Sequence, residues 1–249
     1  MLDKVRSVIF NLLFYVVLTP GICILMCPTL LMPRRYAFKV ARSYHWISYY
    51  LEKYVMGLDY EIRGRENIPS DTESYLVAEK HYSAYETMKL YHFFYDPTII
   101  LKKELLSIPI FGWFLKKVDV IALDRGNREK ALTSLIEGAQ SMKAQNRPIV
   151  IFPQGTRVAI DATPKQKPYK GGIAKLYTTL NIPVLPIAHN SGLYWPRNSF
   201  WKKSGKVIFE VLPPIPTGLT GPELMAKLEE QIESASNRLV EEGRKSLNS

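Results

Sequence analysis

Residues 148–157 read PIVIFPQGTR, and this stretch decides the fold class. An apolar run, Ile149 to Phe152, has the length and composition of a buried strand, and Pro153 stops it. Gly155 then permits backbone geometry closed to other residues, and Thr156 and Arg157 emerge directly after it. A polar turn at the carboxyl end of a buried strand is where α/β folds place ligand contacts. The G-x-x-x-x-G-K-[ST] pattern of a Walker loop is absent from the chain.

Outward from this strand, further β-like runs alternate with helix-like stretches. YEIRG, SYLVAE, TIILK, VDVIAL, VLPIA and KVIFEVL are separated by helical patterns near 85–95, 129–145 and 170–180. The alternation predicts an α/β fold, a single domain over 57–249 with a largely parallel or mixed sheet flanked by helices. The chain closes on a predicted packing helix. Thr220 and Glu223 stand three apart in a capping-box pattern, and Leu224, Leu228, Ile232, Ala235 and Leu239 share one face.

Residues 1–56 differ in character and are expected to form a membrane-associated helical segment. No charged residue occurs from Ser7 to Pro33, long enough for one span of about 20 residues. Pro20 and Gly21 are expected to break helix propagation near its middle, giving two short helices in one leaflet or one kinked span. Lys4 and Arg6 precede the segment, and Arg34, Arg35, Lys39 and Arg42 follow it, which predicts a cytoplasmic downstream side. No small-x-small site follows cleanly, which disfavours a cleaved signal peptide. Residues 36–56 read as a helix joining membrane to domain, with Tyr44, Trp46 and Tyr49 suited to an interface and Lys39, Arg42 and Lys53 to anionic headgroups.

The 249 residues carry a formal charge of +10, which favours anionic partners: phosphate-bearing small molecules, acidic lipid surfaces or nucleic acid. Nucleic acid is disfavoured, because no basic-aromatic recognition motif is present and the apolar segment points elsewhere. The two cysteines, Cys23 and Cys27, lie in the apolar segment and form neither a disulfide framework nor a zinc pattern.

Four clusters could carry chemistry. KHYSAYET, Lys80 to Thr87, follows an apolar strand and places His81 and Glu86 at its mouth. A histidine acting as general base needs one ring nitrogen free and the other held by an acceptor. On a continuous helix the two side chains would stand about 140° apart, so their pairing demands a turn between them. VDVIALDRGNREK delivers Asp124, Arg125 and Arg128 into a loop ahead of a helix, where a guanidinium fork and backbone N–H groups suit a phosphate or simply face solvent. The third cluster is the PQGTR turn. The fourth is a loop bearing Lys170 and two glycines, followed by a strand ending at His189 and Ser191. No G-x-S-x-G elbow accompanies that serine, and His189 reads as structural.

In this order and spacing, the blocks resemble the 1-acyl-glycerol-3-phosphate acyltransferase family of bacterial type, over roughly residues 60–215. KHYSAYE matches its H-x-x-x-x-D block, with Glu86 in place of aspartate. KKELLSIPIFGWFLKKVDVIALDRGNR matches the lysine-glutamate, Pro-x-Phe-Gly-Trp and arginine-bearing block. IFPQGTR matches F-P-E-G-T-R, with Gln154 in place of glutamate, and IPVLPIAHNSG matches the closing proline-bearing strand.

The resemblance implies membrane-bound transfer of an acyl chain from a thioester, on coenzyme A or acyl carrier protein, to the free hydroxyl of lysophosphatidate, giving phosphatidate. By position, His81 becomes the general base and Glu86 its orienting partner. Arg125, Arg128 and Arg157 become the phosphate contacts, Gln154, Gly155 and Thr156 shape the acceptor turn, and Lys102, Lys103 and Lys170 extend the positive field. The expected partners are the two substrates, membrane lipids and the carrier protein. No cofactor or metal is expected, and the expected location is the bacterial inner membrane with the catalytic domain on the cytoplasmic face. Gln154 removes a charge while keeping an amide of similar size. It leaves two other readings open: a related enzyme acting on another lysolipid, or a weakly catalytic membrane-anchored lysolipid-binding protein.

Overall fold

The computed structural model describes residues 1–70, 73–124, 126 and 128–248, with the backbone alone at 128–130. Seven strands form one sheet: β1 (Leu58–Arg63), β2 (Leu76–Glu79), β3 (Thr98–Lys102), β4 (Ile121–Leu123), β5 (Ile149–Ile151), β6 (Val184–His189) and β7 (Gly205–Val211). Their order is β1-β7-β6-β2-β5-β3-β4. Strands β2 to β6 run parallel, whereas β7 pairs antiparallel with β6 and parallel with β1. Every apolar run read from the sequence is a strand here, and the sheet is the mixed variant of the expected class.

Consecutive residues of β2 face opposite layers. Val77 joins Val150 and Leu185 in a core beneath α4 (Tyr85–Phe93), while Leu76 and Ala78 join Ile149, Ile151 and Val184 in a second core. The second core is closed by α6 (Arg128–Ala144), α7 (Gly172–Leu180) and α8 (Gly221–Asn248). A short helix, α5 (Phe111–Lys117), follows β3. The expected box caps α8, with Glu223 Oε2 accepting the Thr220 N–H at 2.7 Å. Leu224, Leu228, Ile232 and Leu239 are wholly buried on its inner face.

Residues Leu2–Leu31 form one continuous helical run of 30 residues, so of the two forms left open the run is single and is not broken into two helices at Pro20. The run passes through a π-helical stretch, Leu12–Leu18, between α1 (Leu2–Asn11) and α2 (Thr19–Met26). Pro20 falls in the first turn of α2, directly after the π-helical stretch. Thr19 Oγ1 donates to the Phe14 carbonyl at 2.8 Å, supplying a side-chain bond where the ladder is interrupted.

One face of this run docks on the domain. Phe10 and Phe14 pack on Trp195 at ring separations of 5.3 and 6.0 Å, and Asn11 Nδ2 donates to the Phe200 carbonyl at 2.9 Å. The other face exposes Val5, Val8, Ile9, Leu12, Val16 and Val17. The following α3 (Arg34–Leu51) leaves Trp46 and Lys39 exposed, while other side chains of 34–56 are tied to the domain. Tyr49 donates to Asp59 Oδ1 at 2.9 Å, and Lys53 pairs with Asp59 at 2.9 Å. Arg34 makes a bidentate pair with Asp96, both contacts at 2.8 Å.

Candidate active site

The site lies where the strand order reverses around β2, outside the carboxyl ends of β2 and β5, the crevice where open α/β sheets bind ligands. His81 follows β2 by two residues, and residues 80–84 form a loop before α4 begins at Tyr85. That loop supplies the turn the His81–Glu86 pairing requires. Glu86 sits in the first turn of α4, and its Oε1 lies 2.8 Å from His81 Nδ1. The same oxygen accepts the Ser83 N–H at 2.7 Å, and Oε2 accepts the Ser191 hydroxyl at 2.7 Å. Burial pushes the Glu86 carboxyl up, but the His81 and Ser83 hydrogen bonds and the nearby histidines outweigh it, leaving the group below the usual carboxylate range.

An ionised Glu86 beside Nδ1 fixes the His81 tautomer with Nδ1–H toward the carboxylate and the lone pair on Nε2. The ring stacks on Phe152, with centroids 4.1 Å apart. The His81 carbonyl accepts the Val158 N–H at 2.7 Å, tying the β2 loop to the end of the 153–157 turn. In that turn the Gly155 N–H donates to the Phe152 carbonyl at 2.8 Å, with φ at +68°. A side chain at Gly155 would be strained by that φ and would meet Lys170 at 3.3 Å.

His81, Lys102, Gly155, Thr156, Arg157 and Lys170 all line one cavity of about 1350 Å³. The rest of its lining is largely apolar and includes Ile22, Cys23 and Met26 from the N-terminal run and Ile99, Phe114 and Leu135 from the domain. A base that shares one cavity with cationic and apolar side chains can activate a hydroxyl, hold an anionic group and house an aliphatic chain.

Not every expected site residue meets this cavity. Arg125 lies outside the described residues, and Arg128 opens α6 with its side chain outside the description. Lys103 pairs with Asp124 at 2.9 Å on the surface. Gln154 is buried, 2% exposed, and is absent from the cavity wall; neither amide atom has a hydrogen-bond partner among the described residues. Three contributors were not legible in the sequence: Ser191, Phe152 and Arg197, whose Nη1 donates to the Arg157 carbonyl at 2.7 Å. Ser191 follows a predicted strand end, but nothing local marks it as a partner of a residue 105 positions earlier.

Residues 59–190 match the acyltransferase family model. A 1-acyl-sn-glycerol-3-phosphate acyltransferase from Pseudomonas aeruginosa is 34% identical over 230 residues, covering 90% of this chain and 87% of that protein. The enzyme of the same description from Saccharomyces cerevisiae is 30% identical over 179 residues, 69% of this chain and 58% of that protein. The crystal structure of the 1-acyl-sn-glycerophosphate acyltransferase PlsC from Thermotoga maritima superposes with a TM-score of 0.74 at 25% identity, covering 95% of this chain and 97% of that one. The chain belongs to the 1-acyl-sn-glycerol-3-phosphate acyltransferase family and is an acyltransferase.

Proposed function

We propose that the protein transfers an acyl chain from an acyl thioester, on coenzyme A or acyl carrier protein, to the free hydroxyl of 1-acyl-glycerol-3-phosphate. His81 Nε2 takes the hydroxyl proton while the oxygen attacks the thioester carbonyl carbon. Glu86 stabilises the imidazolium that forms. The tetrahedral intermediate collapses with cleavage of the C–S bond, and the departing thiolate recovers the proton from Nε2. Both substrates are held at once, so no acyl-enzyme is needed and the gain comes from proximity and proton transfer. The protein needs no cofactor beyond the thioester co-substrate.

The observation that carries this reading is the His81–Glu86 contact of 2.8 Å on the wall of a cavity that also presents Arg157, Lys170 and Lys102. Arg157 is the principal phosphate contact, with Arg125 and Arg128 joining it from the loop before α6. The lysines widen the field. Gln154 acts behind the turn, shaping the backbone that Gly155 and Thr156 present to the acceptor.

Residues 1–56 act as the membrane-associated segment and 57–249 as the catalytic domain. The exposed apolar face of the N-terminal run supports this division, because each large apolar side chain left in water forgoes about 1.5–3 kcal/mol. The bases at Arg35, Lys39 and Arg42 favour the cytoplasmic face of an inner membrane. The test is an acyl-transfer assay on detergent-solubilised protein, with lysophosphatidate against lysolipids lacking the phosphate monoester, and acyl-CoA against acyl carrier protein. Phosphatidate formation that disappears in His81→Ala is the expected result; normal turnover by that variant sinks the mechanism.

A further inference from the structure

Helix α8 carries one carboxylate that packing alone does not explain. Glu233 Oε2 accepts from Lys80 Nζ at 2.9 Å, and Glu233 Oε1 accepts from the Tyr169 hydroxyl at 2.9 Å. The Lys80 side chain is 1% exposed and that of Glu233 13%. A buried ion pair is a costly way to pack a helix, since apolar side chains of like volume commonly serve as well or better. Both oxygens are nonetheless occupied by donors from two different segments.

Each of those segments adjoins the site. Lys80 immediately precedes His81 in the loop after β2, and the two side chains are held by different helices. His81 is held from the α4 side by Glu86, and Lys80 from the α8 side by Glu233. Tyr169 immediately precedes Lys170. The Lys170 backbone N–H donates to the Pro153 carbonyl at 2.8 Å, and its side chain runs along Gly155. One carboxylate therefore grips the residue before the histidine and the residue before the cavity-lining lysine.

We propose that Glu233 is a positioning residue that fixes the spacing between His81 and the cationic wall formed by Lys170 and the 153–157 turn. The inference rests on the acyltransferase reading for its kinetic consequence and on geometry alone for the bridge. Misplacement of the cationic wall relative to the base weakens binding of a phosphate-bearing acceptor, which relies on those cations, more than binding of the donor.

Two measurements on the full-length protein in detergent test this. In steady-state kinetics, Glu233→Gln is expected to raise KM for lysophosphatidate about tenfold, with kcat and donor KM changed far less. The triple variant Lys80→Met, Tyr169→Phe, Glu233→Met leaves no unpaired buried charge, so it keeps a folded protein should the single variant fail to fold. It is expected to melt at or above the wild-type temperature yet retain the raised KM. Wild-type KM in the triple variant overturns the proposal, because packing alone would then suffice. Hydrogen–deuterium exchange of the triple variant reads the bridge without catalysis: segments 79–83 and 163–171 are expected to lose protection together, and unchanged protection in either overturns it. Absence of acyl transfer by the wild-type protein counts against the catalytic reading and leaves the exchange result standing.

Discussion

Glu86 holds His81 with one oxygen and Ser191 with the other, at 2.8 and 2.7 Å, so a single buried carboxylate joins the loop after β2 to the end of β6. Its charge faces an imidazole that becomes imidazolium in the proposed mechanism. Glu86→Gln retains an oxygen acceptor but not the charge. It is expected to lower kcat by about 10²–10⁴-fold with little change in either KM, read by steady-state assay. Ser191→Ala removes only the second anchor and is expected to act more mildly. A Glu86→Gln variant within twofold of wild type rejects the assigned role.

The same carboxylate sets a pH window. In the folded state Glu86 titrates below its ordinary value, so between the two values the unfolded chain binds more protons. The stability it contributes is present above the ordinary carboxylate range and is lost as pH falls through the lowered folded value. Thermal melts from neutral pH downward should show Glu86→Gln with a flatter loss of melting temperature across that acidic window than wild type. A parallel fall in both proteins excludes Glu86 as a source of acid sensitivity.

Arg157 and Lys170 both line the cavity, and the phosphate contact proposed for them is electrostatic. Arg157→Ala is expected to cost about 1.5–3 kcal/mol of acceptor binding, the worth of a charge-assisted hydrogen bond. This appears as a raised KM for lysophosphatidate with donor KM unchanged. Lys170→Ala should do less, since a mobile ammonium lacks the fork geometry. An unchanged acceptor KM in Arg157→Ala removes it from the phosphate site.

What could be read in advance, and what could not, follows from the range over which each interaction acts. Strands β1 to β7 were legible because burial of a short apolar run is a local property, and the α8 cap because Thr220 and Glu223 are three residues apart. The reversed direction of β7 was not, since KVIFEVL reads the same either way along a sheet. Which of the two forms left open at Pro20 is adopted was not legible, because the continuous run contains a π-helical stretch and a Thr19 side-chain bond, neither marked by composition. The site was legible where its residues are neighbours in sequence: His81 with Glu86, and Gly155 with Arg157. It was not legible where contacts cross the chain, as at Ser191, Arg197 and Glu233.

Gln154 illustrates the same limit. Its position in the turn suggested a contact with the acceptor, whereas its side chain is buried away from the cavity wall. A carboxylate placed there meets no cation among the described hydrogen-bond partners, and burial of an unpaired charge is unfavourable. Gln154→Glu is therefore expected to lower the melting temperature and reduce kcat/KM on lysophosphatidate, and Gln154→Met to be tolerated better. Higher activity in Gln154→Glu at undiminished stability refutes this and marks the glutamine as a weakened site.

Glu52 and Lys89 form a fully buried ion pair that joins the N-terminal helices to α4, the helix that carries Glu86. Lys89 Nζ also lies over the rings of Tyr85, Tyr49 and Tyr60, at 4.4, 5.3 and 5.6 Å. Burial pushes the Glu52 carboxyl up to about 7 and the Lys89 ammonium down, each only partly countered by the other's charge. Removing one partner strands the other in an apolar site, so Glu52→Leu or Lys89→Met alone should cost about 3–5 kcal/mol. The double variant leaves no buried charge and should recover most of that loss, a coupling that denaturant unfolding of the four proteins measures directly. Additive losses in the double variant would show that the two residues act independently and that the pair does not couple the N-terminal helices to α4.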